Sequence, residues 1–409
     1  MPKVPRSGVV VDRRHFLRSA GLIAAAAASA GHVFAGENIV MPFLNGQRQL
    51  VKYPQKRPLI RLTTRPPQLE TPFSVFNEGV ITPNDAFFVR YHLANIPLSI
   101  DSETFRVEVK GSVETPLSLS LADLKKMEAV ELVGVLQCSG NSRGFSQPRV
   151  GGGQLGNGAM GNAKWRGVRL KDILEKAKLK PTAKQVAFNG LDKAPLDKTP
   201  DFVKALDVDH ALDGEVMLAY EMNGEALPML NGYPLRLIVP GYFGTYWVKH
   251  VNEITVMDEV LNNFWMNPAY RIPDNGCGFV EAGTTPAKTT PIKRYNVRSF
   301  ITNVTDGAMV KTGEPLRLKG IAFDGGYGIR EVLISTDGAR SWVPAKLGND
   351  LGKYSFREWE ASFTPSRPGK VELKVRAVNR VGESQPLEAL WNPPGYMRNV
   401  VETVNILSA

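Results

Sequence analysis

Cysteine and histidine are nearly missing from this chain: two cysteines and five histidines in 409 residues. There is no C-x-x-C pair, which argues against a zinc site built from thiolates. There is no C-x-x-C-H, so no c-type haem is attached to this chain. Cys138 and Cys277 could form one disulfide in an oxidising compartment. Beyond the first 35 residues only His92, His210 and His250 remain, too few for a histidine-built metal cluster. No apolar run is long enough to cross a bilayer. No block of Lys or Arg is present, so nucleic acid is a poor partner. The net charge is +10. In residues 1–35, Lys3, Arg6, Arg13, Arg14 and Arg18 against Asp12 carry +4, which leaves +6 for the rest. That modest excess suits an anionic substrate or cofactor. Glycine (38) and proline (29) are plentiful and favour a turn-rich β or α+β chain. The length predicts two domains.

The N-terminus reads as a targeting segment. "DRRHFLRSAG" (12–21) has paired arginines, followed by the short apolar run "LIAAAAASAG" and then "HVFA". Val33 and Ala35 fit a small-residue cleavage site after Ala35. Arg13 and Arg14 beside Phe16 and Leu17 resemble a twin-arginine export signal, which carries proteins already folded. The expectation is a periplasmic protein, soluble and not membrane-bound, with residues 1–35 removed.

Residues 36–100, rich in Pro, Arg and Asn, read as extended chain wrapped on a domain. Residues 105–127 read as a strand, a turn and a helix opening at Ser120 with Asp123 in its first turn. "VELVGVLQ" is a buried strand, and 150–164 is a glycine-rich loop. "RLKDILEKAKL" is a short amphipathic helix and "KQVAFNGLD" a strand ending in a loop; strand and turn alternate over 234–258. "GTTPAKTTPI" (283–292) looks like a linker. Beyond it, "RSFITNV", "PLRLKGIAF", "IREVLIST", "SWVPAKL", "WEASFT" and "KVELKVRAVN" are short strands separated by turns. That is the pattern of an immunoglobulin-like sandwich of roughly 110 residues. The expected division is 36–288 for a catalytic domain and 289–409 for the sandwich.

Two motif matches carry little weight. "GNSRG" (140–144) fits the nucleophile elbow G-x-S-x-G, but "FSQPRVGGGQ" cannot form the helix that must follow it. A serine hydrolase on Ser142, with His210 or His250 as base, is a weak alternative. "GNGAMG" (156–161) fits G-x-G-x-x-G, but it follows glycines instead of a strand.

Cys138 ends a strand and opens the polar loop "CSGNSR". A buried structural cysteine is the plain alternative. Arg143 places a cation nearby, and an adjacent cation favours the thiolate, a soft metal ligand. A lone thiolate holds a metal only if a cofactor supplies other sulfurs.

Four stretches together are similar to one family. "LQCSGNSR" resembles the molybdenum-cysteine loop of the sulfite oxidase family. "TPNDAFFVRYH" (82–92) resembles its Phe-Phe-x-Arg-x-His segment. "LPMLNGYPLRLIVPGYFGTYWVKHV" resembles its molybdopterin-binding stretch, and "STDGARSW" its dimerisation-domain signature. The resemblance implies an α+β molybdopterin domain followed by an immunoglobulin-like dimerisation domain. It implies that Cys138 ligates molybdenum, with the pterin dithiolene giving two more sulfurs. Arg90, His92, Arg143 and Tyr270 would line the anion pocket, where guanidinium forks suit a small oxyanion. Phe88 (through its backbone), Arg90, His92, Asp192, Asn231, Arg236, Trp247, Val248 and Lys249 would contact the cofactor, Arg236 and Lys249 opposite its phosphate. Asn231 departs from the histidine of the animal enzymes. The implied activity is oxidation of sulfite to sulfate at molybdenum-molybdopterin, with no haem in this chain. Electrons would go to a c-type cytochrome, either a bound subunit or a diffusing partner, so that the protein is a homodimer or a heterodimer with a cytochrome. Two relatives in function stay open: a sulfur dehydrogenase subunit acting on carrier-bound sulfur, and a sulfoxide reductase.

Overall fold

The computed structural model describes residues 38–41 and 45–409; the expected twin-arginine segment and cleavage site lie outside them. Strands dominate, as the turn-rich composition predicts, and helices are few and short. The fold is α+β, a first domain of mixed sheets followed by a β-sandwich.

Residues 36–100 do more than wrap. Strands Asn38–Val40, Gln47–Val51, Leu59–Thr63, Gln68–Glu70 and Val89–Arg90 form an antiparallel sheet in sequence order. Leu59, Leu69, Val89 and Tyr91 are buried in its own small core. The Pro- and Arg-rich composition hid the short alternation that makes these strands. This sheet's last strand delivers Arg90 and, just after it, His92.

A second sheet runs Lys204–Asp207, Gln185–Gly190, Val251–Met257, Arg106–Gly111, Leu117–Ser120. Its one parallel pairing joins Val251–Met257 to Arg106–Gly111. Helix Leu121–Lys126 opens where the sequence predicts: Ser120 and Asp123 form a reciprocal capping box. Helix Leu170–Ala177 buries Leu170, Ile173, Leu174 and Ala177, one face at helical spacing.

The third sheet pairs Ala129–Gln137 with Met160–Arg169 along its whole length. Here the glycine-rich stretch departs from expectation, because the loop ends at Met160 and a strand begins. Its glycines serve close packing. A Cβ on Gly167 would lie 1.9 Å from the Leu218 carbonyl oxygen, and one on Gly161 would lie 2.6 Å from the Phe87 ring.

The second domain is a sandwich. One sheet runs Arg298–Ile301, Leu316–Phe323, Arg357–Phe363, Lys346–Leu347. The other runs Ala308–Val310, Glu402–Ser408, Gly369–Asn379, Ile329–Ser335, Val343–Pro344. Trp359, Leu318, Val332, Leu373 and Ile406 are buried between them. Strand Glu402–Ser408 pairs on both sides and was not expected from the sequence. The presumed linker is partly structured: Thr289–Pro291 pairs antiparallel with Arg271–Pro273. The two domains share apolar surface, since Phe73 meets Phe300 and Phe76 meets Phe356 edge-on.

Candidate active site

Strand Ala129–Gln137 carries its chain to Cys138, where the backbone turns. The Cys138 amide donates to the Ala159 carbonyl at 2.9 Å. Asn141 locks the turn: its amide donates to the Cys138 carbonyl, and its side-chain oxygen accepts from the Ala159 amide, each at 3.0 Å. Ser142 follows with φ +69°. Its hydroxyl donates to Asn157 Oδ1 at 2.5 Å and accepts from Arg298 Nη1 at 3.0 Å. Arg298 belongs to the second domain and is itself paired with Glu402 at 2.9 Å.

Ser142 is fully buried and its partners are structural, so the hydrolase alternative has no nucleophile–base pair. His250 is committed elsewhere. Its Nδ1 donates to the Tyr233 carbonyl at 2.6 Å, and its Nε2 accepts from the Tyr91 hydroxyl at 2.7 Å. Burial pushes it down to about 3, so it is neutral and that assignment of protons follows. His210 pairs with Asp213. The "GNGAMG" stretch binds no phosphate either: the Gly156 and Gly158 amides donate to the buried Glu70 carboxylate at 3.0 and 3.3 Å.

Two chambers meet at Cys138. The inner one is lined by Phe88, His92, Asn231, Arg236, Trp247 and Lys249, together with Ser139 and Thr245. The outer one is lined by Arg143, Gly151–Gly153, Trp265, Pro394 and Tyr396, among others. Arg90, Cys138 and Tyr270 line both. Of the residues assigned to the metal, substrate or cofactor in the sequence, two line neither chamber. Val248 is packed in the main core. Asp192 is buried and acts on Lys249 electrostatically.

No carboxylate lines the inner chamber, yet three cations do, Arg90, Arg236 and Lys249. Burial pushes Lys249 down to about 7 and Arg236 to about 10, and the Arg236 charge lowers Lys249 further. Arg236 Nε, Thr245 Oγ1 and Ser139 Oγ are buried with no partner. Buried polar atoms rarely stay unpaired, and buried like charges repel, so the chamber is shaped for a polar anion. Among the described residues no group of three or more His, Cys, Asp or Glu could hold a metal ion. A metal at Cys138 would therefore need ligands from a cofactor. Both cysteines are free, so the possible disulfide does not form.

Residues 92–265 match the oxidoreductase molybdopterin binding domain, and 289–408 match the Mo-co oxidoreductase dimerisation domain. Mitochondrial sulfite oxidase of Rattus norvegicus is 32% identical over 388 residues, covering 90% of this chain and 69% of that protein. Sulfite oxidase of Arabidopsis thaliana is 30% identical over 383 residues, covering 87% of this chain and 96% of that one. This chain belongs to the sulfite oxidase family. It is a molybdenum oxidoreductase of that family, with a molybdopterin-binding domain followed by a dimerisation domain. Among solved structures, the sulfane dehydrogenase SoxCD of Paracoccus pantotrophus shares its fold, with a TM-score of 0.72 over 97% of this chain and 92% of that one, at 24% identity.

The inner chamber fits the family's cofactor. Arg236 and Lys249 can face its phosphate, the unpaired donors can meet its polar edge, and Cys138 stands at the mouth. In this sulfite oxidase relative, Lys56 buttresses that wall, and sequence reasoning missed it. Its buried ammonium donates to Asn231 Oδ1 at 2.5 Å and to the Phe87 carbonyl at 3.0 Å. Asn231 in turn donates to the Phe88 carbonyl at 3.1 Å and accepts from Arg236 at 2.6 Å through its own carbonyl. Asn231 is thus tied through both its side chain and its backbone. Lys204 was missed as well; its buried ammonium lies 5.2 Å from the Tyr270 ring centre. Neither lysine carries a sequence signal that separates it from a surface lysine.

Proposed function

We propose that this protein is a periplasmic sulfite dehydrogenase that oxidises sulfite to sulfate and passes the electrons to a c-type cytochrome. One observation carries the reading: Cys138 stands where an acid-free cationic chamber opens into a second chamber lined by Arg90 and Arg143. Bound in the inner chamber with Cys138 as a metal ligand, molybdenum-molybdopterin supplies two-electron oxygen transfer to sulfur. The chain's own residues do the rest. Arg143 is held ready by its Nε donating to the Pro394 carbonyl at 2.8 Å, and Arg90 by its bond to the Tyr91 carbonyl at 3.1 Å. Their remaining N–H groups can orient an oxyanion.

Tyr270 is hydrogen-bonded to His92 Nε2. Burial and the surrounding cations Arg90, Lys249 and Lys204 push His92 well below its ordinary value, so it stays neutral. A neutral imidazole fixes the phenol without adding a charge beside the substrate. Phe202 stacks on His92 at 3.7 Å and Trp265 meets it edge-on at 5.0 Å, which keeps bulk water from that side.

Export in the folded state follows from the Arg13–Arg14 signal, and Arg13→Lys with Arg14→Lys should leave active protein in the cytoplasm. The second domain pairs with a copy of itself or with a cytochrome subunit; sedimentation of the purified protein separates the two. The activity test is steady-state sulfite oxidation with ferricyanide and with cytochrome c, alongside molybdenum analysis. Reduction of both acceptors is expected. Molybdenum without sulfite turnover would replace sulfite by carrier-bound sulfur, and absence of molybdenum from active protein would sink the reading.

A further inference from the structure

We propose that Tyr396, supplied by the second domain, is a substrate-contacting residue whose hydroxyl donates a hydrogen bond to the bound sulfur oxyanion. The proposal rests on the sulfite reading above and extends it.

The hydroxyl is carried by a rigid hoop, residues 391–397. Buried Asn392 closes it: its side chain donates to the Tyr396 carbonyl and accepts from the Tyr396 amide, each at 2.9 Å. Trp391 Nε1 donates to the Pro148 carbonyl at 2.9 Å, which docks the hoop on the chain beyond the cysteine loop. Gly395 has φ +62°, and a Cβ there would lie 3.0 Å from the Arg143 side chain and 2.5 Å from Val150. The hoop is therefore seated tightly on Arg143, and only glycine fits at that point.

The Tyr396 ring sits against two of the anion-pocket residues that line the outer chamber, Tyr270 and Arg143. It is parallel to Tyr270, with centroids 5.7 Å apart and 1° between planes. The Arg143 guanidinium lies 4.9 Å from its centre. Burial raises the Tyr396 phenol, while Arg143 and Arg90 pull it down and Cys138 raises it, so the hydroxyl stands in the field of all three. A guanidinium over the ring has no acceptor, so Arg143 cannot take the phenolic proton, which is left for an oxygen in the chamber. The Tyr270 hydroxyl is already shared with His92. Tyr396 is thus a second phenol lining the chamber where the oxyanion must rest, and it comes from a domain otherwise matched only for dimerisation.

The test compares Tyr396→Phe with wild type. It measures the sulfite KM and kcat, molybdenum content, and, by calorimetry, the affinity for sulfate, which reports anion binding without turnover. The expected result is a KM and a sulfate Kd each weakened about tenfold, the loss of one hydrogen bond to a charged group. Molybdenum content should not change, and kcat should stay within about threefold. Tyr396→Leu removes the ring too and should weaken sulfate binding further through Arg143. A purely packing role predicts that Tyr396→Phe matches wild type in both KM and sulfate Kd; that result overturns the proposal, as does failure of wild type to bind sulfate. If sulfate binding falls in Tyr396→Phe while wild type leaves sulfite unoxidised, the contact stands and the sulfite reading fails.

Discussion

The inner and outer chambers share Arg90, Cys138 and Tyr270, yet they hold their cations differently. In the inner chamber Arg236 is fully buried and Lys249 half-buried, with no carboxylate lining the wall. In the outer chamber Arg143 is half-buried, leans on carbonyl oxygens and stacks on a tyrosine. Buried unpaired charge is expensive unless a counter-ion arrives and stays. A half-buried guanidinium held by carbonyls can receive an anion and release it. The first arrangement suits a resident cofactor, the second a substrate that turns over.

The sharpest way to break this contrast is at the shared point. Cys138→Ser should abolish nearly all turnover while circular dichroism shows an intact fold, and Cys277→Ser should be silent. Normal sulfite oxidation by Cys138→Ser would remove the cysteine from the chemistry.

The chambers should then separate by what they lose. Lys249→Met removes one of two cations facing the resident anion, and charged hydrogen bonds are worth roughly 1.5–3 kcal/mol. Cofactor and molybdenum content should fall on the order of tenfold or more, measured by metal analysis and released pterin fluorescence. Arg143→Met should do the opposite: full molybdenum, with sulfite KM raised on the order of tenfold to a hundredfold. If Arg143→Met loses metal and Lys249→Met keeps it, the division of labour is reversed.

The smallest effect concerns the two buried charges that brace the chambers. Lys56 braces the inner wall through Asn231, and burial pushes it from 10.5 down to about 7. Between those values the unfolded chain binds the proton more tightly, so this lysine makes stability rise with pH from about 7 upward and costs most below it. Glu70 braces the outer chamber's glycine loop, and burial raises it from 4.5 to about 7. Between those values the folded chain binds the proton more tightly, so its contribution is full below 4.5 and is lost as pH rises to about 7. Melting temperature against pH should lose its rise above 7 in Lys56→Met and its fall below 7 in Glu70→Gln. Parallel curves for both variants and wild type would show that neither charge is strained.

Much of the site was legible because its residues lie in contiguous stretches. Phe88, Arg90 and His92 alternate along one short run, and Cys138 ends a strand whose hydrophobic run is unmistakable. Arg236 and Lys249 flank one turn. What stayed hidden depends on distance in sequence. Lys56 and Glu70 look like surface charges until residues 36–100 fold into a sheet and bury them. Tyr396 looks like loop punctuation until its domain closes against the first. Strand Met160–Arg169 was masked by glycines, which signal a loop when read locally and close packing when a neighbouring strand is present.

The tie from Arg298 to Ser142 sets an order of assembly. Glu402, which holds Arg298, lies on Glu402–Ser408, the last strand of the described chain to be synthesised. That strand pairs on both sides within its sheet, so the sheet is incomplete until it arrives. The turn around Cys138 therefore gains its final brace only when translation has passed Glu402. A nascent chain cannot offer a finished pocket early, and a chain cut short before Glu402 lacks that brace. Completeness of the polypeptide and readiness of the pocket thus become the same event.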